Sequence, residues 1–79
     1  MRVVEEIAIP GGKLTIFMWN QKYLLKYETA ELEQVYKIPE TEVPNLEALK
    51  SAALGSVLHK ITQQFAFMDV ALDELYDQL

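Results

Sequence analysis

The C-terminal segment 54–79, LGSVLHKITQQFAFMDVALDELYDQL, decides how the rest of the chain must be arranged. Apolar side chains recur along it at alternating spacings of four and three residues, at Leu54, Leu58, Ile61, Phe65, Met68, Leu72, Leu75 and Leu79. This spacing is typical of an α-helix with one apolar face. Asn45 is a suitable N-cap for it, so the pattern predicts one long helix over 45–78. We expect a kink or a break near Gly55, because glycine costs roughly 1 kcal/mol relative to alanine inside a helix.

A continuous helix of this length is too long to be covered by a small domain. It would measure roughly 50 Å at 1.5 Å per residue, whereas a strand of about seven residues covers only about 23 Å. Its projecting end is still apolar, and an apolar stripe on a solvated helix favours burial against a partner. The sequence therefore predicts a homodimer whose interface contains Leu58, Ile61, Phe65, Met68, Leu72, Leu75 and Leu79. The alternative is a monomer in which the helix breaks at Gly55 and its second half folds back over the same sheet.

Four short strands are predicted for residues 3–38, separated by turns at Gly11-Gly12, Asn20-Gln21 and, less clearly, Thr29-Ala30. If each turn is a two-residue loop, one face of the sheet is apolar with Gln34 as its exception. That face contains Ile7, Ile9, Leu14, Ile16, Met18, Tyr23, Leu25, Tyr27, Leu32, Tyr36 and Ile38. An apolar face opposite a polar one indicates an antiparallel β-meander.

Residues 39–44, with a proline at each end, are expected to connect this sheet to the helix. The predicted fold is therefore α+β, four antiparallel strands followed by one C-terminal helix in the order ββββα, in a single domain spanning 1–79.

The opposite face of the predicted sheet carries aromatic, aliphatic and basic side chains together. They are Phe17, Trp19, Lys22, Leu24, Lys26, Val35 and Lys37. Such a face can stack nucleic-acid bases on aromatic rings while lysines meet phosphates. It can equally be covered by a partner protein or another subunit, or consist of scattered surface residues without a role.

Composition limits the classes of function. A domain of 79 residues has a small core, so its folded state usually needs additional stabilisation from a disulfide, a metal or oligomerisation. The chain has no cysteine and one histidine, which favours oligomerisation and fits a reducing compartment, so we expect a cytoplasmic protein. No segment is apolar enough for a membrane span. The formal charge of −5 disfavours broad attraction to nucleic acid.

The residues needed for catalysis or metal binding are scarce. His59 could combine only with Ser51 or Ser56 on the same helix, without an oxyanion loop, and we expect it at the rim of the helical seam. The carboxylates near the C-terminus are interpreted as a solvated helix flank; they are Asp69, Asp73, Glu74 and Asp77. We therefore predict no cofactor, no metal and no enzymatic activity.

In topology alone, four antiparallel strands followed by a dimerising helix resemble the Whirly and Pur-type proteins that bind single-stranded nucleic acid. This resemblance implies weak single-stranded nucleic-acid binding as the alternative function. The main prediction is a non-enzymatic interaction module that self-associates through its C-terminal helix.

Overall fold

The structure, a computed structural model that describes residues 1–79, confirms the predicted α+β fold. The four strands form one antiparallel sheet in the order β1-β2-β3-β4. The elements are β1 (Arg2–Ile9), β2 (Gly12–Trp19), β3 (Lys22–Glu28), β4 (Glu33–Pro39), a 3-10 turn (Glu40–Glu42), α1 (Leu46–Leu54) and α2 (Ser56–Gln78). The predicted ββββα order holds, with the helix divided into two pieces.

The central hairpin has the predicted turn. Asn20 and Gln21 adopt left-handed φ angles of 51° and 61°, which is the conformation of a two-residue type I′ hairpin loop. Its register is also as predicted, with Ile16 opposite Leu25 and Leu14 opposite Tyr27.

The two outer hairpins differ from their predicted registers. The first turn is Pro10-Gly11, with Gly11 at φ 80°, so that Ile9 lies opposite Gly12 instead of Leu14. Proline followed by a positive-φ glycine is typical of a type II turn, and the prediction misplaced this turn by one residue. The third loop takes four residues, 29–32, which moves the partner of Tyr27 from Leu32 to Gln34. Both errors shift the register by two residues and therefore leave each side chain on its predicted face.

A β-bulge near the start of β1 was not predicted. Val3 pairs with Phe17 and Glu5 pairs with Ile16, so Val4 is the extra residue. The bulge places Val4 against the core. Glu5 lies on the helix side of the sheet with Ile7, where the Lys50 ammonium of α1 donates a hydrogen bond to the Glu5 carboxylate at 3.0 Å. This hydrogen bond raises the pKa of Lys50 above its ordinary value, against an opposing effect of desolvation.

The core lies between the predicted apolar face of the sheet and both helices. Its buried members are Leu14, Ile16, Leu25 and Tyr27 from the sheet, Leu49 and Ala53 from α1, and Ile61 and Phe65 from α2. Only 11 of the 79 residues are buried, so the core is small, as expected for a domain of this length.

The break between α1 and α2 lies at Gly55. Its φ and ψ of −84° and −142° leave the helical region. The buried Tyr27 hydroxyl donates a hydrogen bond to the Ala53 carbonyl at 2.8 Å, in the last turn of α1, where carbonyl groups begin to lack helical donors. At the other end of α1, the Asn45 side chain accepts a hydrogen bond from Ala48 N, as predicted for an N-cap.

Candidate functional site

The C-terminal half of α2 extends beyond the sheet and exposes large apolar side chains. Leu75 and Tyr76 are each 60% exposed and Leu79 is 99% exposed. No residue after Phe65 belongs to the buried core, although Met68 packs against its edge. This end of the helix, residues 68–79, is called the α2 tail below.

The predicted dimer residues fall into two groups. Ile61 and Phe65 are buried against the sheet of their own chain, and Leu58 and Met68 pack partly against the same core. Leu72 is half-buried, whereas Leu75 and Leu79 are exposed. The first part of the helical seam is therefore occupied within the protomer, and only the α2 tail remains available for a partner.

A second, smaller apolar patch of α2 lies away from this seam, where the α2 tail begins. Phe67 is 70% exposed and Val70 is 66% exposed, and their spacing of three residues places them together on the helix surface. Val70 lies about 140–160° around the helix from Met68, Leu72 and Leu75, and Phe67 lies about 80–140° from them, at 3.6 residues per turn. Phe67 and Val70 therefore do not continue the predicted seam.

A groove of about 870 Å³ lies between β4 and the two helices. β4 is an edge strand of the sheet, so the groove opens to solvent along one side of the molecule. Its lining is mainly apolar and consists of Leu25, Tyr27, Gln34, Val35, Tyr36, Lys37, Ile38, Leu49, Ala52, Ala53, Val57, Lys60, Ile61, Gln64 and Met68. It is called the β4 groove below.

Three polar side chains of the sheet fix the floor of the β4 groove. The Tyr36 hydroxyl donates to Gln34 Oε1 at 2.6 Å, and Gln34 Nε2 donates to the Ile61 carbonyl at 2.9 Å. The rings of Tyr27 and Tyr36 meet edge to face with centroids 6.0 Å apart, a favourable aromatic geometry. Burial, with a smaller contribution from Tyr36, raises the pKa of Tyr27 to about 12. Gln34, the polar exception on the predicted apolar face, thus ties β4 to α2.

The charges around the β4 groove and on the α2 tail are opposite in sign. The groove is lined by Lys37 and Lys60 and by no acidic residue. The α2 tail carries four carboxylates and no basic residue: Asp69, Asp73, Glu74 and Asp77. All four are exposed, as predicted for a solvated flank.

The outer face of the sheet, which is turned away from the helices, holds the second predicted contact surface. Leu24 is buried there between its cross-strand neighbours Phe17 and Lys37. Trp19 is 48% exposed, and it stands opposite Lys22. The observed register places Lys37 in the row of Phe17 and Leu24, and it places Val35 beside Lys26. The predicted two-residue loop at Thr29-Ala30 would instead have placed Val35 in the row of Phe17.

The lysines of the outer face differ in their ionic partners. Lys26 Nζ lies 3.4 Å from the Glu33 carboxylate and 3.9 Å from that of Glu28. Lys22 and Lys37 form no ion pair. Of the aromatic and basic residues predicted to form this surface, Trp19, Lys22 and Lys37 therefore remain the most available to a ligand.

No family model, no curated protein and no solved structure matches this chain. The function must therefore be argued from the chain's own residues. Ser51, Ser56 and His59 are all exposed and take part in no side-chain hydrogen bond. No three histidine, cysteine, aspartate or glutamate side chains come together in a way that would hold a metal ion. Neither α1 nor α2 combines the length and the apolarity that crossing a bilayer requires.

The β4 groove was missed by sequence reasoning. Its walls come from β4 and α2, and their separation depends on where the helices dock on the sheet. Gln34 was the one signal in the sequence, because a polar side chain on an apolar face requires a hydrogen-bonding partner. That partner proved to be a helix carbonyl group, which a residue pattern does not specify.

Proposed function

We propose that this chain is a non-enzymatic interaction module that forms a homodimer through the α2 tail. The observation that carries the proposal is the exposure of Leu75, Tyr76 and Leu79 on a helix end that has no sheet beneath it. Large exposed apolar surfaces on small proteins typically mark interaction sites. The small protomer core adds support, since a partner would supply the burial that the chain lacks. The absence of cysteine is consistent with the reducing environment of the cytoplasm, which is the location that we propose.

The test is a comparison of two aspartate substitutions on the same helix. Leu75→Asp places a charge on the seam side of the α2 tail, whereas Val70→Asp places the same charge on the opposite side, at a similarly exposed position. Neither residue belongs to the core, so both variants should keep the native circular dichroism spectrum. By light scattering we expect Leu75→Asp to be monomeric and Val70→Asp to remain dimeric. A dimeric Leu75→Asp protein with unchanged affinity would refute the proposed interface.

A second candidate function is weak binding of single-stranded nucleic acid by the outer face of the sheet. It is favoured by the half-exposed Trp19 next to Lys22, with Lys37 free of ion pairs nearby. A stacked base contributes on the order of 1–3 kcal/mol. The buried Leu24 and the net charge of −5 argue for weak binding at most.

The lone tryptophan reports directly on this second candidate. An oligonucleotide should quench Trp19 fluorescence at low salt, and the effect should weaken as salt is added. Lys22→Gln should reduce the affinity, whereas Lys13→Gln should not, because Lys13 lies at the far end of the same face and is paired with Glu6 at 3.4 Å. Absence of quenching at low salt would eliminate this function.

A further inference from the structure

We propose that the β4 groove of one copy binds the α2 tail of a second copy. The exchange is reciprocal, so each copy also inserts its own tail into the groove of the other. The two α2 helices then lie antiparallel, related by a two-fold axis near Met68. This inference rests on the proposed dimer and adds its docking site and geometry. The groove is occupied by a second copy of this chain.

The same apolar stripe of α2 lines the groove and continues into the tail. The groove wall on α2 includes Val57, Ile61, Gln64 and Met68, and the spacing of three and four residues continues through Leu75 and Leu79. The wall and the tail both begin at Met68 and run about eleven residues in opposite directions, about 17 Å each. A two-fold axis near Met68 therefore aligns each tail with a wall of equal length, and both grooves are filled at once.

Such an exchange would bury enough surface for a stable interface. A helix is about 10–12 Å in diameter, so burying one side of each tail and the matching groove lining removes roughly 1,400 Å² of surface in total. This lies within the range of stable protein interfaces, about 1,200–2,000 Å². A C2 interface of this type is closed, so the assembly stops at two copies.

The charges of the groove and the tail are complementary. On the helix side, the groove contributes Lys60 and no carboxylate, whereas the tail has only acidic charges. With antiparallel helices centred on Met68, Lys60 lies beside the turn that contains Glu74 of the second copy. Within one chain these two residues are about 21 Å apart along the helix, so any contact between them must be intermolecular.

The positional test uses single cysteines, for which the chain is suited because it has none of its own. A residue near a two-fold axis lies close to the same residue of the second copy. A disulfide between the two copies forms only when their Cα atoms lie within about 7 Å. Under mild oxidation, Met68→Cys should form a covalent dimer and the control Val70→Cys should not. Efficient cross-linking through Val70→Cys but not through Met68→Cys would overturn the exchange while leaving the proposed dimer intact. A monomeric wild-type protein would remove both.

A charge exchange provides a second test that does not alter the packing at Met68. Lys60→Glu should raise the dimer dissociation constant by roughly three- to tenfold, since exposed ion pairs are individually weak. Adding Glu74→Lys to the same chain restores opposite charges at both symmetric contacts and should recover most of the affinity. If the double variant dimerises no better than Lys60→Glu alone, the antiparallel pairing is refuted.

Discussion

Replacing Tyr27 by phenylalanine removes one hydroxyl group that joins the sheet to the helix break. The hydroxyl donates to the Ala53 carbonyl at 2.8 Å, and Tyr27 and Ala53 are only 1% and 2% exposed. Water therefore cannot take the place of the lost donor without opening the core. The ring itself remains, so its packing against Tyr36 is preserved.

The expected cost follows from leaving a buried acceptor without its partner. Such a loss destabilises a protein by about 1–3 kcal/mol. A domain of 79 residues has a total unfolding free energy of only about 4–12 kcal/mol, so Tyr27→Phe should be plainly visible as a lower urea midpoint. The measurement is urea unfolding followed by circular dichroism, at one fixed protein concentration because dimerisation would add stability by mass action.

Tyr23→Phe is the matched control for this prediction. Tyr23 is half-buried on the same strand, and its hydroxyl donates no hydrogen bond within the protein. Its removal should change the unfolding free energy by less than about 0.5 kcal/mol. Equal effects of the two variants would refute the argument that the Tyr27–Ala53 hydrogen bond secures the end of α1.

Two further predictions concern the sheet. Gly12→Ala should destabilise the protein more than Gly11→Ala, because a Cβ at Gly12 would overlap the Glu28 carbonyl oxygen whereas Gly11 faces open space. The Gly11 variant should lose only the roughly 1–2 kcal/mol typical of a left-handed residue. Thermal unfolding measures both variants, and a smaller loss of stability for Gly12→Ala than for Gly11→Ala would contradict this prediction. Because the pKa of Tyr27 is raised to about 12 from a usual value near 10, the unfolded chain loses this proton first, so stability should fall between pH 10 and pH 12. That fall should be smaller in Tyr27→Phe. Identical pH profiles of the two proteins would contradict the claim that the raised pKa of Tyr27 causes the loss of stability.

The order and faces of the elements could be predicted from the sequence because they depend on periodicity. The strands alternate with period two, so even a register error of two residues left Ile7 and Tyr27 on the helix side of the sheet. The break at Gly55 also followed from local propensity. Neither the bulge at Val4 nor the Glu5–Lys50 contact follows from periodicity, and the contact joins residues 45 positions apart.

The candidate site was predicted only in part, for a different physical reason. An apolar stripe identifies residues that avoid water but does not say which of them are covered by their own chain. Ile61 and Phe65 meet the sheet and Leu75 does not, and this division depends on the position at which α2 crosses the sheet. The β4 groove arises from the same docking and was therefore invisible in the residue pattern.

The solution mass of the wild-type chain tests the central claim most directly. The chain has a mass of 9.1 kDa, so light scattering over a dilution series should give a value near twice this mass, falling towards the mass of one chain on dilution. This result would show that a second copy is available to cover the α2 tail. A mass of 9.1 kDa at every concentration would contradict the account, because Leu75, Tyr76 and Leu79 would then remain in water without a partner copy.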